Sequence, residues 1–505
     1  MTAKFSTVTF RTAKSGTATT DVDAARHTPR PTARQRPRRR PAAAAIWLGP
    51  ALLTLLITSF QAGQAELWRD ELATWSAATR SLRDLLRLLD SIDAVWGPYY
   101  LFMHLWIAVF GDSVLALRAP GILAMTGAAA LTAQLGARLF GPRAGLLSGL
   151  LLAVTPVASR YAQEARSYAF TMLLAVVATL LLERALRRPT WPRWLAYGAA
   201  IAALGLSHLI AFTLVAGHAA ALLMRRSATR RWLVAVLGAG VVLAPIALIA
   251  AEQRSAQLSW VARAGLGSLA TLPNGVFQSG PVGGAVVALA VLGWAARGAW
   301  FRTLTLSALI PAGLLFAAGL MTEIFVPRYL VFLAPLVCLL AGVALSAVRW
   351  PAAAAAVLLI AFLGGPAQSG LRRTHEWPRS QPREYSQAAH IIRAEQQPGD
   401  AIVYGSRTDN AFLDTAIAYH LRDAQPRDVL LVRSAVQRGS FWATECVVPA
   451  RCLAGTKRVW LLTLGRRPDP FQGMAAARAE PLRKEFTVDQ VWFVPGLTVA
   501  LLTRR

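Results

Sequence analysis

The sequence predicts a polytopic α-helical membrane protein of about eleven transmembrane helices, followed by a small C-terminal extracytoplasmic α/β domain. Three observations carry that reading. The chain is 55% hydrophobic and only 16% charged. Apolar runs recur from Ala42 to Pro366, too many for one soluble core. Arginines collect on alternate loops between those runs, as the bias toward positive cytoplasmic loops requires. The net charge of +27 does not argue for a nucleic-acid partner, because most of it is Arg beside membrane spans, where its role is topological.

Residues 1–41 hold ten Lys/Arg against two Asp and end in RQRPRRRP. This composition builds no core and reads as a disordered basic cytoplasmic tail, able to touch anionic lipid headgroups. The transmembrane domain is read over 42–367. Its spans fall near 43–62, 114–136, 144–158, 167–182, 193–206, 209–224, 232–250, 281–296, 303–320, 328–347 and 351–367. With the tail inside, the cytoplasmic loops 137–143, 183–193, 225–231, 297–302 and 348–350 hold thirteen Arg and one acid, Glu183. The opposite loops carry carboxylates beside their arginines.

The first external loop, 63–113, contains GPYYLFMHLWIAVF at 97–110. Fourteen residues make about 21 Å of helix, short of a hydrocarbon core of about 30 Å. The segment reads as a helix lying in the outer interface, with Tyr99, Tyr100 and Trp106 suited to that depth. GLGSLATLPNG at 265–275 follows no strand and reads as a plain external loop.

Residues 368–505 read as the α/β domain. REYSQAAHIIRAEQ has helical spacing; DAIVYG, RDVLLV, KRVWLLTLG and LTVALLT read as strands. Cys446 and Cys452, in ECVVPARC, form a plausible disulfide outside the membrane, whereas two Cys without a His cluster argue poorly for zinc. Cys338, inside a span, reads as a packing residue.

The chemistry converges on the outer face. AELWRDELATWSAAT, 65–79, places Asp70 and Glu71 just beyond the first span. A charged pair there is ordinarily a solvated helix end, and arginines at span ends commonly snorkel. Other outer loops add to it, however. ASRYAQEARSYAF brings Arg160, Tyr161, Gln163, Glu164, Arg166 and Tyr168; LGLSHLIAF brings His208; TEIFVPRYLVFLAP brings Arg328 and Tyr329. A carboxylate can deprotonate a hydroxyl acceptor, and Arg can grip a phosphate leaving group. Asp70 is therefore the candidate base, with Glu71 orienting the acceptor or a metal. Arg160, Arg166 and Arg328 are the candidate phosphate ligands. Asp93, Tyr99, Tyr100, Tyr161, Gln163, Glu164, Tyr168, His208 and Tyr329 are candidate substrate contacts.

At these residues the sequence resembles the GT-C glycosyltransferases, in particular the family 39-like membrane mannosyltransferases of actinobacteria. The resemblance runs through roughly 64–350. WRDELATWSAAT resembles the acidic motif of the family's first external loop, DAVWGPYYLFMHLWIAVFGDSVLALRAPGILA its interfacial-helix segment, and PRYLVFLAPL its late Arg-Tyr motif. LFGPRAGLLSGLLLAVTPVASRYAQEARSYAF is the most specific match. The resemblance implies transfer of a sugar, mannose by expectation, from a polyprenyl-phosphate donor to an extracytoplasmic acceptor such as an envelope glycan, lipid or protein. It puts the base at Asp70. Where many relatives have His-Pro or His-Gly, this chain has VWGPYY, so Trp96 replaces a polar ring and the acceptor stays open. No cofactor is required on this reading, although a divalent metal beside Asp70 and Glu71 is compatible with hard oxygen ligands. The chain shows no Walker A or nucleotide-binding glycine loop, which suits a lipid-linked donor. Two other classes stay open: a polytopic transporter or lipid-linked sugar flippase, expected to show internal repeats and charges within spans, and a non-catalytic membrane scaffold.

Overall fold

A computed structural model describes residues 42–225, 229–296, 298–376, 381–407 and 411–505; the basic tail at 1–41 lies outside the described residues. Because backbone polar groups find no water in hydrocarbon, apolar runs satisfy them internally as helices. All eleven runs are helical. The helices are α1 (Ala42–Ser59), α2 (Arg69–Ala78), α3 (Leu82–Ser91), α4 (Gly97–Phe110), α5 (Val114–Phe140), α6 (Pro142–Val154), α7 (Pro156–Ala162) and α8 (Tyr168–Arg187). There follow α9 (Trp191–Ser207), α10 (Leu214–Arg225), α11 (Thr229–Leu258), α12 (Leu266–Leu269), α13 (Leu272–Phe277), α14 (Gly280–Leu292), α15 (Ala299–Met321), α16 (Ala334–Ser346) and α17 (Trp350–Arg373). By length and apolarity, six helices among the described residues can cross a membrane alone, and two bent pairs can do so jointly. The stretches 46–59 and 209–224 are apolar but shorter.

The breaks in these helices build one end of the bundle. Thr155 precedes Pro156 and is extended, ψ 143°, as the proline ring demands of its predecessor. The pair α6–α7 consequently bends by 62° and swings 156–167 across the bundle end. GLGSLATLPNG is not a plain loop: it forms α12 and α13, which meet α14 at 97°. Ser279 caps α14 through its hydroxyl. A 3-10 turn at Pro327–Leu333 opens the span completed by α16. Inside the bundle, small residues set the spacing: a Cβ on Gly145 of α6 would lie 2.3 Å from the Ala133 carbonyl oxygen of α5.

Helix α4 matches the short interfacial segment in length, but Tyr99 and Tyr100 are buried and face protein rather than headgroups. Their neighbours Leu105, Val109 and Phe110 are the exposed ones.

After α17, which runs to Arg373, come α18 (Tyr385–Glu395), β1 (Ala401–Tyr404), α19 (Leu413–Leu421), β2 (Arg427–Asp428), β3 (Leu431–Arg433), β4 (Thr444–Glu445), α20 (Pro449–Cys452), β5 (Arg458–Leu464), α21 (Ala476–Glu485), β6 (Phe486–Val494) and β7 (Leu497–Arg504). The sheet order is β2-β1-β5-β7-β6. Strand β1 is parallel to β2 and β5, and β7 is antiparallel to β5 and β6. Alternation along β1 sends Ala401 and Val403 to one core, and Ile402 and Tyr404 to another that also contains Leu67, Leu72 and Ala77 of the first loop. Polar contacts tie the same joint: His420 Nε2 lies 3.0 Å from Glu66 Oε2, and the Tyr419 hydroxyl donates to the Asp112 carbonyl at 3.0 Å. A disulfide joins Cys446 to Cys452. Cys338 is buried and free.

Candidate active site

The site is built from Arg118, a residue with no polar partner in its own helix. It is fully buried in the first turns of α5, and its five guanidinium N–H groups all find acceptors. Nε and Nη2 grip Glu71 at 2.8 and 2.7 Å. Nη1 donates to the carbonyls of Ala62 and Ala65 at 2.7 and 2.9 Å, and Nη2 also to that of Glu66 at 3.1 Å. Glu71 further accepts from the backbone N–H of Ala165 at 3.1 Å. Thr74 donates to the Ala165 carbonyl at 2.9 Å. The loop at 163–167 is thereby fastened to α2. Burial pushes the Glu71 carboxyl up, but the Arg118 guanidinium overrides it and holds Glu71 far below the usual carboxylate range.

This corrects the expectation for Glu71. Both of its oxygens are spoken for, so it positions the loop rather than orienting an acceptor or metal. Asp70, one residue earlier and so about 100° around the helix, points the other way with its side chain 21% exposed. A two-carboxylate metal site at this pair does not fit these directions, and no cluster of three or more His, Cys, Asp or Glu suited to a metal ion occurs among the described residues.

Asp70 lines a cavity of about 350 Å³ together with Asp93, Trp96, Arg166, Tyr168, His208, Arg254, Gln257, Trp260, Arg328 and Tyr329. Arg166 Nη2 stands 3.8 Å from Asp70 Oδ1, its guanidinium lies over the Trp96 ring at 4.6 Å, and its Nη1 donates to the Tyr100 hydroxyl at 2.8 Å. Tyr100 in turn donates to Asp93 at 2.7 Å. Asp93 has a left-handed backbone, φ 61°, and accepts a second bond from Gln257 at 3.2 Å. Burial raises its carboxyl above the ordinary range, with Arg166 opposing. The rings of His208 and Tyr329 meet at 4.9 Å. Burial, then Arg328, bring the His208 imidazole down to about 4.

A second cavity, of about 400 Å³, shares Arg328 and Trp260 with the first. Arg69, Arg160, Tyr161, Glu164, Asn274, Gln278 and His375 are among its walls. Arg160 pairs with Glu164 at 2.9 Å and lies over the Trp68 ring at 4.6 Å. Burial pushes Glu164 up to about 7, against Arg160 and with help from Asp70 and Glu71. Arg328 Nε is buried without a hydrogen-bond partner, at the junction of the two spaces.

The structure thus gathers Asp70, Asp93, Arg166, Tyr168, His208, Arg328 and Tyr329 around one space, and Arg160, Tyr161, Glu164 and Arg328 around its neighbour. Three expected substrate contacts stand elsewhere. Gln163 spends its amide on the carbonyls of Thr58 and Phe60 at 2.7 and 3.0 Å and on Arg372 at 3.0 Å, which ties α1 to α17. Tyr99 packs on Phe102 and Phe170 and lines neither cavity. Tyr100 sits behind the wall, holding Arg166. The sequence reading missed Arg118, Arg254, Gln257, Trp260 and His375. A buried-span arginine in LALRAPG was the available signal for the first. For Arg254 and Gln257 it was polar residues three apart near the end of a long apolar helix.

Fold and site together define a multi-pass membrane protein whose helix breaks at one end of the bundle enclose a carboxylate–arginine cavity. The family described as dolichyl-phosphate-mannose-protein mannosyltransferase matches residues 98–251. The crystal structure of ArnT from Cupriavidus metallidurans in the apo state is similar, with TM-score 0.58 and 16% identity over 91% of this chain and 98% of that one. The structure of the same protein bound to undecaprenyl phosphate gives TM-score 0.59 and 15% identity over the same shares. At such identity the likeness is one of fold. No curated protein matches the chain. The family match is confined to residues 98–251, and the likeness to the solved structures, over nearly the whole chain, is one of fold.

Proposed function

We propose that the chain is a membrane glycosyltransferase that moves a sugar, mannose in our reading, from a polyprenyl-phosphate donor to a hydroxyl of an extracytoplasmic acceptor. The observation that carries this reading is the partly exposed Asp70 carboxylate beside Arg166 and Arg328 in one aromatic-walled cavity. The arrangement suits a displacement at a sugar carbon. Asp70 takes the proton from the acceptor oxygen as that oxygen bonds to the sugar. The bond to the phosphate oxygen breaks, and the polyprenyl phosphate leaves with the electron pair. Arg166 and Arg328 stabilise the charge that develops there. Trp96, Tyr168 and Tyr329 offer apolar ring faces to the sugar. The similar ArnT fold has been seen bound to undecaprenyl phosphate, which supports a lipid-phosphate donor. Arg328, reaching both cavities, is placed to hold the group that passes between donor and acceptor.

The test uses purified protein in lipid, labelled polyprenyl-phosphate mannose and membrane acceptors. Asp70→Asn keeps the size and removes the base, so transfer is expected to fall by roughly 10²–10⁴-fold while donor binding persists. Near-normal turnover in this variant would end the assignment of Asp70 as the base.

A further inference from the structure

We propose a second anion site at the far end of the bundle, taking the phosphate headgroup of an anionic glycerophospholipid. A cavity of about 310 Å³ there is lined by Arg138, Glu183, Arg184, Arg187, Arg188 and Arg193. Its depth follows from two helices. Arg138 lies twenty residues along α5 from Arg118, which at 1.5 Å per residue is about 30 Å. Helix α8 gives the same result, with Tyr168 in the Asp70 cavity at its start and Arg187 at its end. The two sites are a hydrocarbon thickness apart, so this one sits at the phosphate level of the opposite leaflet.

The charge is unbalanced. Glu183, 1% exposed, pairs with Arg187 and, at 3.8 Å, with Arg138. Arg184, Arg188 and Arg193 pair with no carboxylate among the described residues. Arg193 donates instead to the carbonyls of Arg184 and Arg188 at 3.4 and 3.2 Å, which folds the turn over the cavity. Arg184, Arg187 and Arg188 reach into water, as arginines that set orientation do. Here five share one space around a buried glutamate, and guanidinium forks match phosphate oxygens. The flank points to lipid as the source. Trp191 and Leu195, on the adjoining start of α9, are 44% and 58% exposed, and the Arg231 guanidinium lies over Trp191 at 5.7 Å. Basic pockets between membrane helices hold lipid headgroups by this means.

The experiment is native mass spectrometry of the full chain extracted from bilayers of equal phosphatidylglycerol and phosphatidylcholine. Wild-type protein is expected to retain phosphatidylglycerol preferentially. The triple variant Arg184→Gln, Arg188→Gln, Arg193→Gln is expected to lose that preference by on the order of a hundredfold. Should that variant not fold, the corresponding triple Lys variant keeps the charge and loses the forks, and is expected to weaken retention several-fold. Equal retention of the two lipids by wild type, unchanged preference in the folded variants, or full displacement by millimolar inorganic phosphate would each overturn the lipid assignment.

Discussion

Removing the arginine beneath the candidate base should do more harm than removing its partner with it. Arg118→Met leaves the Glu71 carboxylate buried without its cation, along with three carbonyls that the guanidinium had satisfied. Breaking a fully buried pair by deleting one member costs about 3–5 kcal/mol, whereas replacing both members by apolar groups costs much less. The bidentate contacts of 2.8 and 2.7 Å to a carboxylate with 0% side-chain exposure put this pair in that class. The double variant Glu71→Leu, Arg118→Met should therefore be more stable than Arg118→Met alone, with a coupling of about 2 kcal/mol or more. Unfolding in mixed micelles followed by intrinsic fluorescence gives the four corners of the cycle, and labelled-donor transfer is read in parallel. Because Asp70 stands beside Glu71 in the first turn of α2, Arg118→Met should also reduce turnover more than donor affinity. Additive effects within about 0.5 kcal/mol, or undiminished turnover in Arg118→Met, would refute the idea that this pair fixes the catalytic loop.

Arg166→Lys and Arg328→Lys should each weaken donor binding, since a point charge cannot reproduce a bidentate fork; unchanged affinity in both removes them from the phosphate. Glu164 supplies a pH test. Its carboxyl, raised from 4.5 to about 7 in the fold, binds a proton more tightly folded than unfolded. Its contribution to stability is thus fully present below about 4.5 and lost as pH rises through about 7. Glu164→Gln should flatten that decline, and an unchanged melting-temperature profile between pH 5 and 8 would discount it. A reporter active only in the cytoplasm, fused after Leu502, should be silent if the C-terminal domain lies outside; activity there would remove the eleven-span topology.

The sequence alone determined where chain could cross hydrocarbon and where strands could pair, because burial there depends on unbroken apolar runs and local alternation. Each of the eleven apolar runs it picked out is helical, and β1, β5 and β7 lie where strands were read. Strand β6 escaped because it is an edge strand, mostly exposed, whose FTVDQVWFV carries weak alternation. What only tertiary structure decided was direction and partnership. Asp70 and Glu71 are neighbours in sequence but diverge around the helix. Which of them meets Arg118, 47 residues away, depends on how α2 docks against α5. Gln163 lies amid true cavity residues yet faces α1 and α17, where α7 has ended at Ala162 and the helical direction of side chains is lost. His375 reaches the second cavity two residues beyond the end of α17, where its carbonyl accepts from Arg160, 215 residues away, at 3.0 Å. Contacts of that span leave no local period to read. They are settled when packing chooses, for each buried charge, the one partner able to replace water.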